Sequence, residues 1–166
     1  MKHQPFLLAL TILLVLCSVI IQTSIIAHLS FFGSKLSLPL AFTISIALLK
    51  GSFHGELVGF FSGLLCDLSS GGPSIGVQPI SLTLIGYFVG LMRKRFYSES
   101  MVTQLISGFS ATIFDKLVTM TILGGLLPSD AFPHFRILGL LLIAIFNSIL
   151  TIIVYRFSAR IYKGGV

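Results

Sequence analysis

Long apolar runs separated by short polar punctuation organise this chain. The first, from Phe6 to Ala27 (FLLALTILLVLCSVIIQTSIIA), has the length that a helix needs to cross a bilayer, about 20 residues. Pro5 suits its first turn. Lys2 and His3 imitate the basic start of a signal peptide, but the apolar stretch is too long and no A-x-A cleavage site follows. The segment is therefore read as a retained span, 6–27. The next run, Leu36 to Ser69, exceeds one helix and is divided by Lys50-Gly51-Ser52, which gives spans at 36–49 and 53–69. Ser69-Ser70-Gly71-Gly72-Pro73 ends the third span, and the weakly apolar SIGVQP leads into a fourth at 79–92. A fifth covers 101–127 and stops at Pro128, and a sixth covers 137–157. The expectation is an all-α integral membrane protein, a compact six-helix bundle forming one transmembrane domain over residues 1–166.

Composition agrees with that expectation. Charged residues make up 10% of the 166 positions and hydrophobic ones 55%, against roughly a quarter charged in soluble domains. The mean hydropathy is +1.03. A cytosolic enzyme, a secreted disulfide scaffold and a disordered chain are excluded on these figures. The net charge of +6 is no nucleic-acid footprint, because the basic residues fall at the ends of apolar runs. With both termini cytoplasmic, the inner segments hold Lys2, Lys50, Arg93, Lys94, Arg95, Arg156, Arg160 and Lys163, and the outer ones only Lys35 and Arg136. That asymmetry satisfies the positive-inside rule. Tyr97, Tyr155 and Tyr162 fit an interfacial belt. Cys17 and Cys66 lie inside apolar runs and read as two small hydrophobes.

Two patterns are candidates for function. Gly51, Gly55, Gly59, Gly63 and Asp67 recur every fourth residue, and Gly86 and Gly90 repeat that spacing in the fourth span. Small residues so spaced lie on one helix face and let two backbones approach closely in lipid. They either pack the bundle internally or dock a partner's helix. The second pattern is a set of polar groups within spans, each costly in lipid unless paired or hydrated. Asp67 lies about 21 Å of helical rise from the inner end of its span, and Asp115, Lys116 and Asn147 fall at comparable depth. Lys116 is expected to pair across helices with Asp67 or another carboxylate, with Asn147 hydrogen-bonded nearby. Such a layer serves equally as a polar lock or as a ligand or ion pathway. Glu56 is read as solvated beside Lys50 and His54.

No catalytic or metal-binding motif accompanies these groups. H-E-x-x-H is missing, and His3, His28, His54 and His134 sit at span ends or in connections. The serine of Gly59-Phe60-Phe61-Ser62-Gly63 is one position late for G-x-S-x-G. Asp67 follows Leu65-Cys66, which departs from the G-x-G-D motif of intramembrane aspartyl proteases. Neither an enzymatic activity nor a cofactor is expected.

The run GELVGFFSGLLCDLSSGGPSIG (55–76), followed by LIGYFVGLMRKR (84–95), resembles the core signature of the rod shape-determining protein MreD family. The matching positions are Gly63, Asp67, Gly76, Gly86 and Gly90, with Gly72 and Pro73 in the connecting loop. Ser74 and the Gln78-Pro79 opening of the fourth span depart from the family pattern. The motif covers about residues 51–95; elsewhere the similarity is one of hydropathy and length. The resemblance implies a non-enzymatic subunit of the bacterial inner-membrane elongation complex, which controls cell shape and lateral peptidoglycan synthesis. It implies a single-span periplasmic partner of the MreC type, with the MreB filament and the RodA–penicillin-binding-protein synthase engaged indirectly. It also implies the six-helix architecture of the substrate-binding component of energy-coupling-factor transporters. A vitamin-type substrate-binding subunit is accordingly the alternative. Against it, Ala9 is followed four residues later by Leu13, where those subunits resemble one another in A-x-x-x-A.

Overall fold

A computed structural model describes residues 4–24, 30–31, 34–70, 76–93, 100–126 and 137–163. Its architecture is all-helical. Helices α1 (Gln4–Ser24), α2 (Leu38–Lys50), α3 (Ser52–Ser70), α4 (Val77–Met92), α5 (Met101–Leu126) and α6 (Ile137–Lys163) follow one another along the chain. Between α1 and α2, β1 (Ser30–Phe31) and β2 (Ser34–Lys35) pair antiparallel in a minimal hairpin. Each helix falls on one of the apolar runs. The largest difference is in α6, which continues past Phe157 to Lys163. Two stretches, Met101–Ile122 and Leu138–Tyr162, are long and apolar enough to cross a membrane.

α2 occupies the centre. Its sequence, LPLAFTISIALLK, is apolar all round, and such a helix is stable only when enclosed on every side. Every residue from Pro39 to Leu48 is buried. Its two interior polar residues turn back on their own helix: the Thr43 hydroxyl donates to the Pro39 carbonyl at 2.8 Å and the Ser45 hydroxyl to that of Ala41 at 2.7 Å. Leu40, Ile44, Ala47 and Leu48 form one apolar cluster with Leu82, Ile85 and Val89 of α4, Ala111 of α5 and Tyr155 of α6. Tyr155 is thus a core residue and not part of an interfacial belt. Its position in the sequence suited a rim, but α6 extends two further turns beyond it. Phe42 and Ile46 pack on the other side with Val15 of α1 and Val58 of α3.

A corner at Gly51 joins α2 to α3 without a linker. Its φ of +97° is open to glycine and strained for other residues, and its N–H closes α2 by donating to the Ala47 carbonyl at 2.9 Å. Gly51 therefore turns the chain, and the spacing that aligned it with the α3 glycines reflects a helix start.

The outward faces invert the polarity of a water-soluble fold. Large apolar side chains are exposed on α1, α3, α4, α5 and α6, with Leu138 72% and Phe53 66% accessible. Meanwhile Ser62, Asp67, Ser81, Ser107, Thr112, Asp115, Asn147, Ser148 and Thr151 are buried. Contiguous apolar surface on this scale marks contact with lipid or with another protein.

α3 and α4 form the tightest pair among the described helices because glycines of each lie against the main chain of the other. A Cβ built on Gly55 comes 2.7 Å from the Gly86 carbonyl oxygen, and one on Gly63 comes 2.6 Å from the Pro79 nitrogen. At Gly59 the obstacle is the Leu82 carbonyl, at Gly86 the Gly55 carbonyl, and at Gly90 the backbone of Ser52. Gly59→Ala is expected to lower stability by about 1–3 kcal/mol through overpacking. Leu82→Ala will not rescue it, because the methyl meets main chain. Thermal unfolding of the single and double variants by circular dichroism checks both statements, and restored stability in the double variant would refute the geometry.

Candidate functional site

The polar groups within the bundle divide into three separate clusters, each bridging different helices. The first joins α3 to the start of α4. Asp67, at the end of α3, accepts the Gly76 N–H at 2.7 Å and the Gln78 N–H at 3.3 Å through the same oxygen, Oδ2. The first N–H groups of a helix have no partner within it, and a side chain at the N-cap ordinarily meets that need. Gly76 occupies the α4 N-cap and has no side chain to offer. Asp67 supplies the missing acceptor from the neighbouring helix, and its negative charge sits favourably at the positive end of α4. With a φ of +102°, Gly76 also makes a turn that other residues rarely adopt. Gly72 and Pro73 lie outside the described residues.

The second cluster holds Asp115 and Lys116 on α5. Ser81 of α4 donates its hydroxyl to Asp115 Oδ1 at 2.7 Å, and Lys116 Nζ lies 3.5 Å from Asp115 Oδ2. The ion pair expected across helices between Lys116 and Asp67 or another carboxylate is not formed among the described residues. Lys116 reaches back along its own helix to its sequence neighbour, a contact that the flexible four-carbon stem permits despite the angle between adjacent positions. Asp67 is engaged instead with main-chain N–H groups.

The third cluster centres on Asn147 of α6. Its Oδ1 accepts the N–H of Ser37 at 3.1 Å, and its Nδ2 donates to Thr112 Oγ1 of α5 at 3.3 Å. Ser37 is the N-cap of α2, with its own hydroxyl accepting from the Leu40 N–H. Gln22 of α1 completes the collar around this helix start: its Nε2 donates to the Leu36 carbonyl at 2.7 Å and its Oε1 accepts the Leu38 N–H at 2.9 Å. Asn147 and Gln22 together hold the first turn of the central helix. Asp67, Asp115 with Lys116, and Asn147 are thus each bonded to different partners.

Sequence reasoning singled out the acids and Asn147 but not their partners Gln22, Ser37, Ser81 and Thr112. Short polar residues are common in apolar helices, and nothing marks which will face a carboxylate. Gly108 was also missed. A Cβ there comes 2.8 Å from the Ser148 Cα, so it seats α6 against α5 as the other glycines seat α4 against α3. The spacing Gly108-x-x-x-Thr112 was the available signal. Cys17 is exposed, Cys66 is buried, and no disulfide joins them. Among the described residues, no group of three or more His, Cys, Asp or Glu side chains is placed to hold a metal ion.

Each cluster spends its hydrogen bonds on a helix end or an interhelical contact. No protein-family model, curated protein or solved structure matches the chain.

Asp67→Ala should cost about 0.5–2 kcal/mol, the range of an ordinary N-cap, while Asp67→Asn retains an acceptor and much of that stability. Thermal midpoints of the two variants provide the comparison; equal losses would show that charge, and not hydrogen bonding, is what counts. Asn147→Ala leaves the half-buried Ser37 N–H without its acceptor and should cost about 0.5–1.5 kcal/mol. Hydrogen exchange should show the loss first at the Ser37 and Leu38 amides, and unchanged protection there would refute the role.

Proposed function

We propose that this chain is a non-enzymatic membrane scaffold of the MreD type. In this reading it spans the bacterial cytoplasmic membrane six times with both termini inside, and it binds an MreC-like single-span periplasmic protein. Through that partner it serves the elongation complex, linking an MreB-like filament and the RodA–penicillin-binding-protein synthase to cell shape. The observation that carries the reading is the α3–α4 seam. Gly63, Gly86 and Gly90 lie in its backbone contacts, and Asp67 closes over Gly76 at its end. These are the positions on which the resemblance to the MreD family rests.

The exposed apolar faces of five helices support immersion in lipid, where association depends on close packing and interhelical hydrogen bonds. The basic ends of the helices support the stated orientation. Because the glycines already touch main chain, they are not free to receive a partner. That leaves outward aromatic positions such as Phe60, Tyr87 and Phe88 as the surface for a partner helix.

Co-purification from the native membrane with a single-span protein bearing a periplasmic domain is the direct test. Gly63→Leu should lose both the fold and the complex, whereas Phe60→Ala, at an exposed ring that meets its sequence neighbour Phe61, should keep the helical signal and thermal midpoint while weakening the complex. Recovery of the folded chain with no such partner would overturn the proposal, and so would a reporter showing either terminus outside.

A further inference from the structure

At one end of the bundle, positive charge gathers beside an apolar groove. The groove runs between α1 and α3, with α2 as its floor, and has a volume of about 340 Å³. Its walls include Ile12, Leu16, Leu57 and Phe61, with Ile46 and Val58 beneath. Its polar lining residues are Thr11, Lys50 and His54. Lys50 is held with Nζ 4.1 Å from the centroid of the Tyr162 ring, and the Tyr162 and Thr11 hydroxyls share a hydrogen bond of 2.6 Å. Arg93 stands just beyond: a Cβ on Gly51 would lie 3.5 Å from a guanidinium nitrogen. Both Lys50 and Arg93 are close enough to act electrostatically on the His54 ring. Glu56, the nearest carboxylate along α3, forms no ion pair with them; among the described residues the ion pair present is Lys116–Asp115. Among the described residues, no carboxylate neutralises the cations at the end of the groove.

We propose that this groove binds an anionic phospholipid, with an acyl chain between α1 and α3 and the phosphate on Lys50 and Arg93. The inference rests on the membrane reading above and adds a ligand that the scaffold role does not require. Shape and charge both select a lipid. A groove walled by Ile12, Leu16, Leu57 and Phe61 on two neighbouring helices suits a slender apolar occupant better than a helix about 10 Å across. An acyl chain is narrower and presents no backbone groups needing partners. The uncompensated charge at the mouth calls for an anion at the end of the apolar occupant. In the six-span orientation this mouth faces the cytoplasmic leaflet, where anionic lipids concentrate and basic pockets between helices receive their headgroups.

The test uses the full chain extracted in mild detergent and titrated with dioleoyl phosphatidylglycerol or dioleoyl phosphatidylcholine, with bound lipid counted by native mass spectrometry. Phosphatidylglycerol should be retained in preference. Replacing Lys50→Gln and Arg93→Gln should lower its retention roughly fivefold per charge removed. Arg156→Gln with Arg160→Gln, on exposed positions of α6, should leave it unchanged. Glycerol phosphate should not compete, since it lacks the chain that fills the groove. In vesicles, phosphatidylglycerol with a photoreactive acyl chain should label α1 and α3 of the unsubstituted protein, a readout independent of how the variants fold. Equal retention of the two lipids, competition by glycerol phosphate, labelling spread evenly over six helices, or a protein segment cross-linked from Leu57 in place of lipid would each overturn the inference. A chain that alkaline carbonate strips from membranes would refute the membrane reading itself; one that stays but shows no lipid preference would refute this inference alone.

Discussion

Main-chain contact between α3 and α4 is the constraint around which the remaining helices arrange themselves. Gly55 and Gly86 face each other so closely that a methyl group on either meets the other's carbonyl, and the Gly55 position touches Ala47 of α2 as well. Three helices thus meet at a point where no side chain is larger than a methyl. Dispersion forces weaken steeply with separation, so two backbones in contact gain attraction along the whole crossing. The larger residues of both helices are displaced outward, which explains why Phe53, Phe60, Phe61, Tyr87 and Phe88 are all exposed.

Polar groups in the interior work for the helix ends. Asp67 serves the first turn of α4, Asn147 and Gln22 serve the first turn of α2, and Gly51 closes the last turn of α2. An unsatisfied N–H shielded from water costs more than a typical hydrogen bond contributes, so a bundle with partly buried helix starts gains by bringing acceptors to them. Beside the local cap from Ser37, acceptors in this chain come from other helices. Each such bond fixes the axial position of one helix against another, which apolar packing alone leaves loose.

The sequence made the helices legible and the pairing of their faces obscure. Lys50-Gly51-Ser52, the Gly71-Gly72-Pro73 sequence and Pro128 punctuate the apolar runs strongly, so the helices could be placed within a few residues. The four-residue glycine spacing announced a close approach and left its partner open; the structure pairs α3 with α4. Asp67 illustrates the limit. Its depth in the span suggested a charged partner, whereas its place at the end of α3 sets it against the main chain of α4, and a single sequence gives no view of that neighbour. Lys116 drew the same inference for the same reason. Depth along a helix can be counted from residues, but rotation about its axis depends on packing that no local pattern records.

The bond between Ser37 and Asn147 spans 110 positions of sequence. α2 is the innermost helix, yet one acceptor for its first turn belongs to α6, which is made long after it. During synthesis the centre of the molecule must exist for some time before the element that finishes its collar has emerged. Gln22 of α1 can already hold the start of α2 while the chain is being made, and the last acceptor in its collar comes only with α6.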